Sequence, residues 1–316
     1  MTEDNKIGVG FITYGRITAK YLPYFLPSLF AQTEKNFFVL AFDNTEEKNN
    51  LNIKYLNNHY SQVKVLSVSR NIGFARAYNK LIEKAIKREA KYFLAINPDM
   101  ILEPQALEEM VKELKADKKL AAVSPKILRW DFENRKKTKI IDSCGIVLEN
   151  GLRFRDAGQG EVDQGQYDSA PIIGPSGAAG MYRISALEKI KENGQYFDER
   201  FFMYKEDCDL TYRFYLAGFK VKCIPNAIVY HHRTVSSRGK GFWQIILGRR
   251  EKSKQVKKWS FFGQQIIFLK YWHQQNSFDK LVILWQEFKM IVFILLFEPY
   301  LLKELYRAWR LGRGGR

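Results

Sequence analysis

The first 125 residues alternate short runs rich in β-branched and aromatic residues with longer amphipathic runs, and this alternation restricts the fold more than any other feature of the chain. Strand, helix and strand in succession are the pattern of an α/β sheet covered by its own crossover helices. The spacing predicts strands over Ile7–Thr13, Phe37–Phe42, Val63–Val68, Tyr92–Ile96 and Leu120–Ser124. Helices are expected over Ala19–Gln32, interrupted by Pro23 and Pro27, and over Leu51–Tyr60, Ala75–Arg88 and Pro104–Ala116. Pro104 suits a first helical turn, which has no use for the N–H that proline lacks. From Lys126 to Tyr167, short β-like pieces separated by glycines read as an inserted hairpin region, and helix returns near Asp207–Ala217. No repeat of roughly 20 to 50 residues is visible, which argues against a solenoid or propeller.

The apolar content is enough for one large core or two smaller ones: 46% of the 316 residues are hydrophobic and 15% aromatic, which excludes a disordered or collagen-like chain. The net charge of +17 is unevenly spread, with 34 Lys/Arg against 29 Asp/Glu in residues 1–232 and 17 against 5 in residues 233–316. A nearly neutral body is therefore expected to carry a basic C-terminal module, and the module is also apolar. Leu281 to Leu302 is broken only by Glu287, Lys289 and Glu298, and its longest uncharged run, Met290–Phe297, falls short of the roughly 18 to 20 residues a spanning helix needs. This predicts helices lying on an anionic membrane surface, with Trp272, Trp285 and Trp309 at the interface. The clusters Arg249, Arg250, Lys252, Lys254, Lys257, Lys258 and Arg307, Arg310, Arg313, Arg316 would face the head groups. The plainer alternative is a helical subdomain that packs its aromatics on the body. No nucleic-acid partner is expected, because the charge lies beside an apolar stretch and no zinc-finger, helix-turn-helix or RNA-binding signature accompanies it. Cys144, Cys208 and Cys223 form no CxxC pair, which points to a reducing compartment and away from structural zinc. An N-terminus without an apolar core following basic residues predicts no secretory signal and a cytoplasmic location.

Ligands of open α/β sheets bind beyond the carboxyl ends of the strands, and here every such end is polar. They read Thr13-Tyr14-Gly15-Arg16, Asp43-Asn44, Ser69-Arg70-Asn71-Ile72-Gly73 and Asn97-Pro98-Asp99. Asp99 places a carboxylate at the sheet edge, where oxygen ligands suit Mg²⁺ or Mn²⁺ carrying a diphosphate. The stretch Asn71 to Asn79 puts a glycine-containing loop at a helix N-terminus, whose backbone N–H groups can receive phosphate or sugar oxygens; it is neither a dinucleotide-binding nor a Walker loop. Asp198, Glu199, Glu206, Asp207 and Asp209 crowd into twelve residues among aromatics. Such a carboxylate can take a proton from an attacking hydroxyl, or it can serve the N-terminus of the following helix. His231 and His232 end a strand, and alternation sends them to opposite faces.

Taken in order, VGFITYGR, FDN, NIGFARAYN, INPDM, IDSCGIVLENG, GPSGAAGMYR, FDERFFMYKEDCDLTYRFYLAGFK and IVYHH resemble glycosyltransferase family 2, particularly its bacterial rhamnosyltransferase-like branch. The resemblance covers roughly residues 6 to 238. It implies an α/β GT-A fold, a Rossmann-like mixed sheet flanked by helices, over residues 1–238, followed by the basic, apolar helical module over 239–316. It further implies inverting transfer from a nucleotide-diphosphate sugar with Mg²⁺ or Mn²⁺. Under this resemblance Thr13, Tyr14 and Asp43 contact base and ribose, Asp43 accepting from a pyrimidine imide N–H. Asn71, Arg76 and Asn79 lie near sugar and diphosphate, and Asn97 stands where the family's DXD motif has its first Asp. Asp99 and His231 become the metal ligands and Asp207 the general base, while Gly177, Ala178, Ala179 and Glu206 line the acceptor or sugar pocket. The branch favours L-rhamnose, carried by dTDP, moved to a lipid-linked saccharide for surface polysaccharide by a peripheral enzyme on the cytoplasmic side of the membrane. UDP-linked galactofuranose, glucose or N-acetyl sugars, and a non-catalytic sugar- or lipid-binding scaffold, are the alternatives.

Overall fold

The computed structural model describes residues 6–233, 249 and 252–313. In β1 (Ile7–Thr13), Ile7, Val9 and Phe11 are buried on one face while Gly8 and Gly10 present the other. Those glycines are a packing requirement. A Cβ at Gly10 would lie 2.4 Å from Phe93 Cζ and one at Gly8 2.8 Å from Ala85 Cβ, so α4 (Phe74–Ile86) approaches the sheet only because β1 is bare there.

β2 (Phe37–Asp43) and β3 (Lys64–Ser67) extend the sheet in parallel on one side of β1, and β4 (Tyr92–Ile96) does so on the other. The covering helices are α1 (Gly15–Ala19), α2 (Leu22–Phe30), α3 (Leu51–His59) and α4. The stretch expected as one helix over residues 19–32 is two, because Pro23 fits the first turn of a new helix and not the interior of an old one. β5 (Met100–Leu102) precedes α5 (Ala106–Ala116). Pro104 lies in the turn before α5, not in its first turn, and its carbonyl accepts from the Thr33 N–H at 2.8 Å.

β6 (Leu120–Asp131) continues well past its predicted end because β7 (Lys136–Ser143) folds back on it antiparallel. β8 (Ile146–Glu149) and β9 (Arg153–Asp156) form the small ribbon of the expected hairpin region. β10 (Ala179–Arg183), α6 (Ile184–Lys189), α7 (Glu206–Leu216) and β11 (Lys220–His231) complete the sheet. Its order among the described residues is β3-β2-β1-β4-β10-β6-β11-β5, with β10 antiparallel to both β4 and β6. One core packs α2 and α5 under the Ile7, Val9 and Phe11 face, and a second packs α4 and α7 on the other, around Tyr78, Phe93, Tyr182, Phe197 and Phe214.

The chain divides into two compact units, the first of residues 1–147, 156–202 and 207–233, the second of 148–155, 203–206 and 234–316. The predicted boundary between residues 238 and 239 lies outside the described residues. The second unit contains α8 (Lys254–Tyr271), α9 (Ser277–Phe297) and α10 (Leu302–Arg313). Residues 148–155 belong with these helices because the Gly151 N–H donates to Asp279 Oδ1 at 2.7 Å. Glu298, at the C-terminal end of α9, is buried and takes Lys257 Nζ at 2.8 Å and the Arg249 guanidinium. These two basic residues, expected to face head groups, are turned inward instead.

Burial raises the Glu298 pKa, but hydrogen bonds from Lys257 and Arg249 outweigh it and hold the carboxyl below its ordinary value. The stability it contributes is present above about pH 4.5, the ordinary glutamate value, and is lost as pH falls through its depressed folded value. Glu298→Gln is therefore expected to destabilise the protein by on the order of 3 kcal/mol at neutral pH. In urea melts its difference from the parent should vanish progressively below about pH 4.5. A difference that persists unchanged into acid would contradict this assignment.

Candidate active site

Thr13 and Asp43 end neighbouring strands in register, and the Thr13 hydroxyl donates to Asp43 Oδ1 at 2.7 Å. Thr45 donates to the same oxygen at 2.9 Å and Asn50 Nδ2 to Oδ2 at 2.7 Å. Asp43 is fully buried, so in this conformation it has no exposed oxygen for a base. Thr13 from the end of β1, and Thr45 and Asn50 from the following loop, thus tether the carboxylate that was expected to contact the base. Thr45 in turn accepts from the Gly15 N–H at 2.8 Å, which orients the turn carrying exposed Tyr14. Asn44 ties this rim to the next loop, accepting from the Ile72 N–H at 3.1 Å and donating to Gly73 O at 3.2 Å.

That loop is already partly satisfied. Asn71 Oδ1 accepts from the Gly73 N–H at 2.9 Å, and the Phe74 N–H donates to Phe202 O at 2.7 Å. Two of the N–H groups expected to receive phosphate are thus engaged within the protein. Gly73 has φ +83°, and a Cβ there would meet Phe202 O at 2.5 Å, so glycine is demanded twice over. Arg76, half exposed, pairs with Glu199 at 3.0 Å. Asn79 is buried, with Nδ2 donating to Phe197 O and Oδ1 accepting from the Phe197 N–H, both at 2.8 Å. It is a bracket between α4 and the 197–199 segment, at the position expected to lie near sugar and diphosphate.

β10 brings the far half of the site to the end of β4. The Asn97 N–H donates to Ala178 O at 2.9 Å, with Ala179 following in register on Ile96. One residue earlier, the Gly177 N–H donates to Asp207 Oδ2 at 2.9 Å, while Oδ1 accepts from the Cys208 N–H at 2.8 Å. Asp207, in the first turn of α7, is only partly buried. Its acidic neighbours differ: Asp209 is buried against Arg213 at 3.0 Å, Asp198 chelates Arg200, and Glu206 is buried. Tyr204 and Lys205, just before α7, both have positive φ, 70° and 74°, at a cost of about 1–3 kcal/mol each. No sequence signal marks that strain.

At the end of β11 the two histidines separate. His232 stacks among Tyr21, Trp130 and Phe132, whereas His231 Nε2 lies 3.4 Å from Asp99 Oδ1. Behind it, His231 Nδ1 meets Asp142 Oδ2 at 2.7 Å, and Asp142 also pairs with Arg233 at 3.1 Å. Arg233 bridges on to Asp156 at 3.1 Å. Burial alone would lower the His231 pKa, yet the charge of Asp99 and the hydrogen bond to Asp142 push it up to about 10. Burial would raise Asp142, but the His231 hydrogen bond and the Arg233 charge hold it below the usual carboxylate range. Burial pushes Asp156 up. Asp142, Asp156 and Arg233 carried no sequence assignment.

Among the described residues, no group of three or more His, Cys, Asp or Glu side chains stands ready as a metal site. Asp99 with His231 is nevertheless a donor pair compatible with a divalent cation whose remaining ligands are phosphate oxygens and water. A surface cavity of about 420 Å³, lined by residues that include Glu113, Asp117, Tyr215 and Lys220, lies at the opposite, starting ends of β6 and β11.

Residues 9–191 match the sequence profile of Glycosyl transferase family 2. The chain belongs to that family. It is a glycosyltransferase with a GT-A fold. The N-acetylglucosaminyl-diphospho-decaprenol L-rhamnosyltransferase of Mycobacterium tuberculosis (strain CDC 1551 / Oshkosh) is 25% identical over 231 residues, which span 69% of this chain and 73% of that protein. Rhamnosyltransferase WbbL of Escherichia coli K12 is 26% identical over 239 residues, 71% of this chain and 85% of that one. Among solved structures, GalNAc-T7 with UDP, GalNAc and Mn²⁺ superposes with a TM-score of 0.57 at 11% identity, covering 84% of this chain and 51% of that one. S. aureus TarS gives 0.50 at 15% identity over 84% of this chain and 43% of its own. The chain thus spans about half the length of these structural relatives, and the likeness to them is one of fold.

Asn79→Ala should leave the Phe197 N–H and carbonyl unsatisfied and lower stability by about 2–3 kcal/mol in urea denaturation. An unchanged midpoint accompanied by lost donor binding would give Asn79 a ligand-binding role in place of the bracing one.

Proposed function

We propose that this enzyme is an inverting transferase that moves L-rhamnose from dTDP-rhamnose to a lipid-linked saccharide in cell-surface polysaccharide assembly. The observation that carries this reading is the Asp207 carboxylate, held through one oxygen by the Gly177 N–H, whose neighbour Ala178 hydrogen-bonds the end of β4. A carboxylate so fixed, and left partly open, is suited to accept the acceptor hydroxyl proton as the oxygen attacks the anomeric carbon and the bond to the diphosphate breaks. Single displacement from the face opposite the leaving group inverts the anomeric centre. Base and ribose would lie against Thr13, Tyr14 and Asp43, and the diphosphate toward Asn71, Arg76, Asn79 and Asn97. Asp99 and His231 would hold Mg²⁺ or Mn²⁺, whose charge would stabilise the departing diphosphate. Asp142 would keep the His231 ring turned so that Nε2 faces Asp99.

Rhamnose and a lipid-linked acceptor are drawn from the named activities of the two sequence relatives. We assign catalysis to residues 1–238 and membrane association, on the cytoplasmic side, to residues 239–316. No described helix is long and apolar enough to cross a membrane, which agrees with a surface-bound arrangement.

Asp207→Asn keeps the shape and a hydrogen-bond acceptor but removes the base. Transfer should fall by about 10²-fold or more, measured as nucleoside-diphosphate release with dTDP-rhamnose and a polyprenyl-diphosphate saccharide, while donor binding by calorimetry is retained. Normal turnover of that variant would remove Asp207 from the base position. Release from UDP sugars but not from dTDP-rhamnose would overturn the donor.

A further inference from the structure

α9 has two unlike faces. Ile283 and Ile294 are buried, Met290 packs on the cluster of Phe261, Ile294 and Leu301, and Glu287 accepts from Gln265 at 2.8 Å. On the opposite face Phe278, Leu281, Trp285, Phe288, Val292 and Leu295 are all exposed, from 41% at Val292 to 66% at Leu281. Their spacing of three and four places them in one stripe along the helix, about 26 Å long. Tyr306 and Trp309 of α10 add exposed aromatic surface, at 63% and 45%. A contiguous apolar face of this size on a folded unit marks an interaction surface.

The charges around it say what covers it. The acidic side chains of residues 252–313 are all held by protein groups: Asp279 by Gly151 and Asn276, Glu287 by Gln265, Glu298 by Arg249 and Lys257, and Glu304 by Arg307. Lys289, Lys303, Arg307 and Arg310 are exposed. The stripe is edged by Lys289, 5.5 Å over the Trp285 ring, and α10 exposes three further cations, while the carboxylates of these helices are engaged with protein groups. Three-and-four spacing is also that of a coiled-coil seam, but such a pairing is specified by opposite charges flanking the stripe. The flanking positions here are Val282, Lys289 and Leu296 on one side and Leu284, Ile291 and Glu298 on the other, and Glu298 is buried against its own unit.

We infer that the exposed stripe of α9, together with Tyr306 and Trp309, docks in the head-group boundary of an anionic bilayer. The helix lies parallel to the surface, with aromatic and aliphatic side chains entering the acyl edge and the lysines and arginines meeting phosphate. This deepens the membrane association in the proposed function, on which it rests for its biological purpose. Trp285, Trp309, Arg307 and Arg310 are among the residues expected at this surface from sequence, whereas Arg249 and Lys257 are spent on Glu298.

The test uses the full chain and two vesicle types, phosphatidylcholine alone and phosphatidylcholine with phosphatidylglycerol. The parent should sediment with the anionic vesicles, bind the neutral ones more weakly, and be partly released by salt. Leu281→Glu and Trp285→Glu should each lower the anionic partition coefficient by about 10-fold or more. Val162→Glu, at an exposed apolar site of the other unit, should leave it unchanged. Lys303→Glu with Arg310→Glu, which spares the stripe, should abolish most of the preference for anionic over neutral vesicles. All of these variants should retain the parent's slow donor hydrolysis in lipid-free solution, which reads catalysis separately from docking. Parent-like binding by Leu281→Glu and Trp285→Glu would overturn the assignment. So would a parent that ignores vesicles but forms a lipid-free dimer dissociated by Leu281→Glu, which gives the stripe to a second copy of the chain.

Discussion

The reversed strand β10 is the constraint on which the site depends. In a parallel sheet the strand ends gather on one edge and the connections enter from the opposite edge. By running antiparallel between β4 and β6, β10 puts its own starting end on the edge where β4 finishes. Residues 177–178 therefore join the rim. One backbone group there hydrogen-bonds Asn97 and the next hydrogen-bonds Asp207, so two residues of loop connect the end of the sheet to the start of α7. The first link joins main-chain groups alone, whereas the second needs the Asp207 carboxylate, which a substituent at Gly177 would crowd.

A second consequence concerns charge. Asp99, Asp142, Asp156, His231 and Arg233 form a chain of contacts with acids and bases alternating, and most of its members are substantially buried. In low dielectric such a network is strong when complete and costly when one partner is missing. The imidazole is therefore fixed at both nitrogens, with Nε2 toward Asp99. Asp207 is held differently, by neutral N–H donors alone in the described contacts, which orient it without pairing it to a cation. The first arrangement suits holding a charged ligand in place, the second suits receiving a proton.

The fold was legible where burial and periodicity coincide. β1 and β4 begin and end where predicted, because strands buried on both faces read as continuous apolar runs. β5 and β10 were not anticipated as strands: they are short, and what makes them strands is pairing with distant segments. In the site, the polar strand ends were correctly located on one edge, but their partners were not. Asn79 and Asp43 have side chains a ligand would welcome, and each is also engaged by protein groups that sequence order keeps apart or conceals. A polar side chain reads the same whether it faces a ligand or a backbone. Strand alternation sent His231 and His232 to opposite faces without choosing between them, whereas Asp142, 89 residues distant from His231, could be placed only by the β6–β7 hairpin. In the C-terminal segment the composition foretold a basic, apolar surface, but Glu298 decided which basic residues would be turned inward.

The proposed transfer requires a single displacement assisted by one carboxylate. The most direct test is the anomeric configuration of the product, read by proton NMR from the early time course with dTDP-rhamnose and a soluble analogue of the lipid-linked acceptor. Inversion relative to the donor is the predicted result. A product that retains the donor configuration would contradict the account, because retention requires a second displacement or front-face attack that a lone base at Asp207 does not provide.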